Sequence, residues 1–120
     1  EIAMVRLLKA CRLTGWRRHW PILGRPDFVW PRFRVAVFID GCYWHSCPQH
    51  GKRPEGNREY WEKKFARNVA RDKFVSKELR ADGWKVLRIW EHDINAAPKS
   101  IIRRLRRALA RAEEIRARLF

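Results

Sequence analysis

The sequence is poor in acidic residues, in cysteine and in long apolar runs. It has 13 Asp and Glu against 28 Lys and Arg, so its formal net charge is +15 and its pI is about 11.0. No apolar run approaches the roughly 18 residues of a membrane helix, and no signal-peptide pattern opens the chain. Three cysteines are a poor disulfide framework and favour a reducing cytoplasm, where clustered cysteines bind metal. The positive charge favours nucleic acid as the partner over an acidic membrane or protein surface.

At 120 residues, 46% of them hydrophobic, the chain is expected to form a single domain over residues 1–120. Its patterns predict a first helix that ends at Gly15, strands at DFVW and RVAVFI that form a hairpin, a long helix from Asn57 to about Asp82 that stops at Gly83, a strand at WKVLRIW, and a basic helix from about Pro98. Because a helix separates RVAVFI from WKVLRIW, these strands are expected to be parallel neighbours. The expected fold class is therefore α/β, a mixed sheet flanked by helices. The arginines of the last helix have two interpretations: they form a solvated surface, or they bind the backbone phosphates of nucleic acid.

The stretch DGCYWHSCPQHG, residues 40–51, concentrates potential metal ligands. Thiolate and imidazole are the ligands that zinc prefers, and a closed structural site needs four of them. The stretch contains Cys42 and Cys47 together with His45 and His50. A further histidine, His92, follows the strand WKVLRIW. If that strand is parallel to RVAVFI, His92 lies beside the loop. We expect Cys42, Cys47, His50 and His92 to form a structural zinc site. The alternative is a pair of buried thiols with unrelated surface histidines.

Two aspartates are expected to meet at the same edge of the sheet. Asp27 begins one strand of the hairpin and Asp40 ends the other. Their carboxylates, together with a backbone carbonyl such as that of Ile39, suit Mg²⁺, which takes oxygen ligands and stabilises charge on a phosphodiester. His45 would then move a proton to or from water or the leaving group, although a histidine by itself is more often structural.

The motifs LGRPDFVW, VFIDGCYWHSCPQHG, NREYW…FARNVARD and GWKVLRIWEHDI resemble those of the very-short-patch-repair (Vsr) endonucleases, in order and spacing, over nearly all of residues 1–95. The resemblance implies a restriction-endonuclease-like core in a bacterial cytoplasmic protein that works at the nucleoid. It implies an enzyme that nicks double-stranded DNA beside a T:G mismatch, with catalytic Mg²⁺ and structural Zn²⁺. We expect a monomer, with other mismatch-repair proteins as possible partners, and we expect the family's N-terminal arm to be absent.

The resemblance also assigns roles to individual residues. Asp27 and the Ile39 carbonyl would hold magnesium, His45 would be the catalytic base, and Glu1 would orient water. Asp40 stands where some members have histidine, and its carboxylate could bind the metal or its water. The family's zinc positions fall on Cys42, Cys47, a residue at or beside His50, and His92.

The family's aromatic wedge, which enters the base stack beside the mismatch, matches Tyr43 and Trp44; the alternative is that Trp44 packs in the core. Asn68 and Asp72 match the family pattern NxxRD and are expected to support the site from the long helix. The expected contacts to backbone phosphates are Lys52, Arg53 and Arg58.

Three functions are therefore in competition. The first is a magnesium-dependent mismatch nickase, and the second is a related nicking or restriction-associated endonuclease without mismatch specificity. The third is a zinc-stabilised DNA-binding module without catalysis. The coincidence of Glu1, Asp27, Asp40 and His45 favours an enzyme, since a module that only binds DNA has no use for that set.

Overall fold

The structure, a computed structural model, describes residues 2–41 and 58–119. In chain order the described elements are α1 (Ile2–Ala10), β1 (Arg17–Arg18), β2 (Phe28–Trp30), β3 (Val35–Asp40), α2 (Arg58–Ala81), β4 (Lys85–Trp90), α3 (Asp93–Ala96) and α4 (Pro98–Leu119). The four strands form a sheet in the order β1-β2-β3-β4, and only the β3–β4 pairing is parallel. The predicted α/β class with a mixed sheet is confirmed.

The predicted hairpin is formed by β2 and β3. Their antiparallel register pairs Phe28 with Val37 and Trp30 with Val35. Aromatic and β-branched side chains favour this pairing because they pack well on a pleated, buried surface. The connecting turn is closed by the Phe33 N–H, which donates to the Trp30 carbonyl at 3.1 Å. Asp27 therefore begins the hairpin at the edge of the sheet where β3 ends.

The parallel pairing of β3 with β4 is also confirmed, with α2 as the crossover between them. The register runs from Val35 opposite Lys85 to Asp40 opposite Trp90. It extends one step further, because the Glu91 N–H donates to the Asp40 carbonyl at 2.9 Å. The ends of the two strands thus lie side by side, as the reasoning about His92 requires.

The sheet is covered on both faces, so β3 is apolar on both sides of its backbone. One face packs against α1 and α4, in a cluster that includes Val35, Val37, Ile89, Met4, Leu8 and Leu105. The other face packs against α2, in a cluster that includes Ala36, Phe38, Val86, Val75 and Leu79. Alternation along β3 therefore assigns Asp40 to the face that α2 covers.

The two long helices lie close to their predicted bounds. After α2, Gly83 has a φ of +89°, and the Trp84 N–H donates to the Leu79 carbonyl at 2.9 Å. This is a Schellman-type ending, which needs a left-handed residue and so favours glycine. Pro98 begins α4, where its fixed φ suits the first turn and its missing N–H costs nothing. Within residues 2–41 and 58–119, no helix combines the length and the apolar character that a membrane span requires.

The prediction that α1 continues to Gly15 was wrong. The helix ends at Ala10, because Arg12 takes a left-handed φ of 56° and the Leu13 N–H donates back to the Leu8 carbonyl at 3.0 Å. Two short elements, β1 and α3, were not predicted. Both residues of β1 are exposed and pair through the backbone, so no apolar alternation marks them.

Candidate active site

Asp27 and Ile39 are brought together at the start of β2. The half-buried Asp27 accepts a hydrogen bond from the Ile39 N–H, with 2.7 Å between its Oδ2 and the nitrogen. The N–H and C=O of one strand residue point to the same side, so the Ile39 carbonyl also faces the β2 side. Extending the register by two residues beyond Phe28 places Pro26 opposite Ile39, and proline has no N–H to donate to that carbonyl. The Asp27 carboxylate and the Ile39 carbonyl, the two predicted magnesium ligands, therefore lie near each other, just beyond the last paired residues of β2 and β3.

Asp27 and Asp40 belong to the same face of the sheet. The register places Asp27 opposite Phe38, and residues directly opposite each other in an antiparallel pair share a face. Asp40 is two residues beyond Phe38 and so also lies on the side of α2. Its exposure is 7%, which is unusually low for a carboxylate.

Arg88, which sequence reasoning did not single out, compensates the charge of Asp40. Its Nη1 donates to Asp40 Oδ1 at 2.9 Å and lies 3.7 Å from Asp72 Oδ1. Its Nε donates to Ser76 Oγ at 3.1 Å, and its Nη2 donates to the Asp72 carbonyl at 3.2 Å. The guanidinium carbon is 4.4 Å from the centre of the Phe38 ring, within the range of a cation–π contact. Arg88 thus joins the end of β3 to the middle of α2.

The sequence did contain a signal for this arginine. Arg88 is the one cation inside the apolar part of β4. Because Val86 and Trp90 are each two residues away from it, all three side chains lie on the same face of the sheet, the face that α2 covers. A cation that is largely removed from water normally needs a carboxylate partner, so the position of Arg88 in the strand indicates that a carboxylate lies near it. Asp72 is half-buried on α2, as is Asn68 one turn before it. A cavity of about 500 Å³ opens here, lined by Asp40, Asp72 and Arg88 among others.

His92 lies directly beyond the end of β4, as predicted. Its side chain is 17% exposed, and its Nε2 lies 3.2 Å from Asp93 Oδ1. The imidazole ring stacks on the ring of Trp90 with a centroid distance of 6.3 Å. The three other expected zinc ligands, Cys42, Cys47 and His50, lie outside the described residues. Within the described ranges, no group of three or more His, Cys, Asp or Glu could hold a metal.

The remaining site predictions fall into two groups. Arg58 is exposed at the start of α2 and pairs with Glu62, with 3.1 Å between Nε and Oε1, so it lies at the surface as a phosphate contact would. The other predicted residues lie outside the described part of the chain: Glu1, Tyr43, Trp44, His45, Lys52 and Arg53.

Comparison with known proteins gives a consistent set of relatives. Residues 1–50 match the model of a family described as DNA mismatch endonuclease Vsr. The chain is 54% identical over 69 residues to the type II nicking enzyme V.NaeI of Lentzea aerocolonigenes, a match that covers 58% of this chain and 42% of the relative. It is 38% identical over 96 residues to V.NmeDIP of Neisseria meningitidis serogroup C (78% and 65%), also named a type II nicking enzyme. It is 41% identical over 69 residues to the DNA mismatch endonuclease Vsr of Escherichia coli K12 (57% and 44%). The matches thus span less than two thirds of the length of these three relatives.

Proposed function

The chain belongs to the Vsr family, and on this premise we propose that it is a magnesium-dependent DNA endonuclease that nicks one strand of a duplex beside a T:G mismatch. The family implies a restriction-endonuclease-like core, and the mixed sheet flanked by helices agrees with it. The observation that carries the proposal is the position of Asp27 against the Ile39 backbone at the edge of the sheet. A module that only binds DNA has no need for a carboxylate oriented in this way.

The residues at this edge suit magnesium. A carboxylate has about four lone-pair sites, so Asp27 can accept the Ile39 N–H and still bind a cation. The Ile39 carbonyl, opposite a proline, supplies a second hard oxygen on the same side of β3. When bound, the ion would stabilise the negative charge that develops on the phosphodiester.

The other residues of the proposed site act on water and on DNA. His45 takes the proton from the attacking water, and Glu1 orients that water. Asp40 is held by Arg88, which Asp72 also approaches from α2, so these groups form a fixed support for the site, with Asn68 one turn away. The wedge residues Tyr43 and Trp44 would enter the stack at the mismatch, where opening the base step costs least. Backbone phosphates would be bound by Lys52, Arg53 and Arg58.

We further propose that a structural Zn²⁺ bound by Cys42, Cys47, His50 and His92 fixes the loop after β3. The support for this proposal is the parallel register of β3 and β4, which places Asp40 opposite Trp90 at the ends of the two strands. Cys42 comes two residues after Asp40, and His92 comes two residues after Trp90. Asp93 lies against Nε2 of His92, an arrangement that would help to orient the imidazole as a ligand.

A second candidate is an endonuclease that nicks DNA without requiring a mismatch. The specific observation in its favour is that V.NaeI and V.NmeDIP are named type II nicking enzymes. The two candidates share the active site and differ in the substrate, so the choice of duplex separates them.

The experiment compares two short duplexes that differ only in one T:G pair, each incubated with the protein and Mg²⁺. We expect a nick beside the mismatched thymine, which EDTA, His45→Ala and Asp27→Ala each abolish. Asp82→Ala is the matched control, because this exposed aspartate lies beyond the end of α2 and its loss should leave the rate unchanged. Equal nicking of both duplexes would establish the second candidate. Binding without nicking, in the presence of Mg²⁺, would contradict both.

A further inference from the structure

A larger cavity, of about 910 Å³, lies at the opposite end of the sheet from the candidate active site. It is bounded by the β2–β3 turn, the start of β4 and residues 104–116 of α4. Its apolar lining consists of Pro31, Phe33, Leu87, Ala108, Ala112 and Ile115. We call it the α4 groove. Ile115 is 46% exposed within it, which is high for a large aliphatic side chain on a helix that is otherwise strongly basic.

The rim of the α4 groove is basic. Its cations include Arg32, Arg34, Lys85, Arg107, Arg111 and Arg116, and none of the lining residues in the described ranges is acidic. Arg111 lies 3.3 Å from Glu114, but both side chains are more than half exposed, so this pair is screened by water. Arg34 donates to a neutral acceptor, the Asp82 carbonyl, at 2.9 Å. The groove therefore combines an apolar floor with a positively charged edge.

This combination discriminates between occupants. A DNA backbone would be attracted by the rim, but it has no apolar side chains for the floor. A second copy of this chain would meet repulsion, since each copy carries a formal net charge of +15. An amphipathic helix with acidic residues flanking an apolar stripe fits both parts of the groove, in the way that such helices bind grooves elsewhere.

We propose that the α4 groove binds an acidic amphipathic helix of a partner protein. Most of the groove lies beside the β2–β3 turn and the start of β4, and Arg104 lines both the groove and the cavity beside Asp40. The proposal stands on the groove alone and does not depend on the reaction at that other end.

The probe is a fluorescent synthetic helix with leucines on one stripe and glutamates beside it, compared with a peptide of the same composition in scrambled order. Fluorescence anisotropy at physiological salt should show binding of the patterned peptide only, weakening as salt increases. Ile115→Glu should raise Kd about tenfold, equivalent to about 1.4 kcal/mol, because it removes apolar contact and adds a like charge. Leu23→Glu is the matched control, since Leu23 is also 46% exposed but lies outside the groove. Circular dichroism melts of both variants establish that they fold.

Three outcomes would overturn the proposal. Equal binding of the patterned and scrambled peptides would reduce the groove to a non-specific basic surface. Loss of duplex DNA affinity in Ile115→Glu, with no binding of the patterned peptide, would make the groove a nucleic-acid surface. Self-association in sedimentation experiments that Ile115→Glu abolishes would make the occupant a second copy of the chain.

Discussion

Replacing Arg88 by methionine should destabilise the protein by about 3 kcal/mol. Removing one partner of a buried ion pair typically costs about 3–5 kcal/mol, because the other charge is left without compensation. The Asp40 side chain is 10% exposed, but that of Arg88 is 23% exposed, so water can reach the pair and the lower end of the range applies. Methionine keeps most of the apolar stem over Phe38, which limits the packing loss. A domain is stable by about 5–15 kcal/mol in total, so the loss would be a large fraction.

The measurement is urea unfolding of a double-mutant cycle made of Arg88→Met, Asp40→Asn and the double variant. We expect the double variant to recover about 2 kcal/mol relative to the sum of the single losses, since asparagine needs no counter-charge. The melting temperature of Arg88→Met should fall by roughly 10 °C. Lys85→Met, an exposed cation on the same strand, is the matched control and should change stability by less than about 0.5 kcal/mol. A coupling energy below about 0.5 kcal/mol would show that Arg88 is an ordinary surface arginine, and the support assigned to it would fail.

Three further changes test the site and the fold. Asp27→Asn keeps an oxygen for the Ile39 N–H. It should reduce the nicking rate at least about hundredfold in single-turnover assays, while the DNA affinity measured by anisotropy stays within about threefold. A parallel loss of DNA binding would contradict a metal-binding role. Cys42→Ser should lower both the zinc content and the melting temperature, and unchanged values of both would contradict the structural zinc site. Gly24→Ala should cost about 2 kcal/mol in urea unfolding, because Gly24 has a φ of +77° and an added Cβ would lie 2.5 Å from Val75 Cγ1. Gly41→Ala, where the nearest atom to the Cβ is 3.6 Å away, is its control, and equal losses would contradict this account.

The sequence predicted the elements whose residues carry a pattern of their own. The strands β2, β3 and β4 are short runs of apolar and β-branched residues, and the glycine after α2 stands where the helix ending requires one. The hairpin and the crossover then follow from chain connectivity, and they place Asp27, Asp40 and His92 at one edge. The unpredicted elements have no such pattern, since β1 is held by backbone pairing and α3 is a single turn.

The network around Arg88 could not be predicted in detail for a different reason. Its partners are 48 residues away at Asp40 and 12 to 16 residues away at Ser76 and Asp72. The contacts form only when α2 packs across the sheet, and no local spacing encodes that packing. An inward-facing arginine in an apolar strand indicates that a carboxylate is near, but it does not say which one.

The two aspartates at the edge of the sheet differ in what orients them, and this difference separates their proposed roles. Asp27 accepts a hydrogen bond from a neutral donor, the backbone N–H of Ile39. Asp40 is oriented by the guanidinium of Arg88, and a second cation at Asp40 would have to share or displace that arginine. In the proposed site, Asp27 is the metal ligand, and Asp40 belongs with Arg88 to the support of that site. The guanidinium also lines the cavity beside α2, where its fixed charge would stabilise a phosphate that approaches this edge.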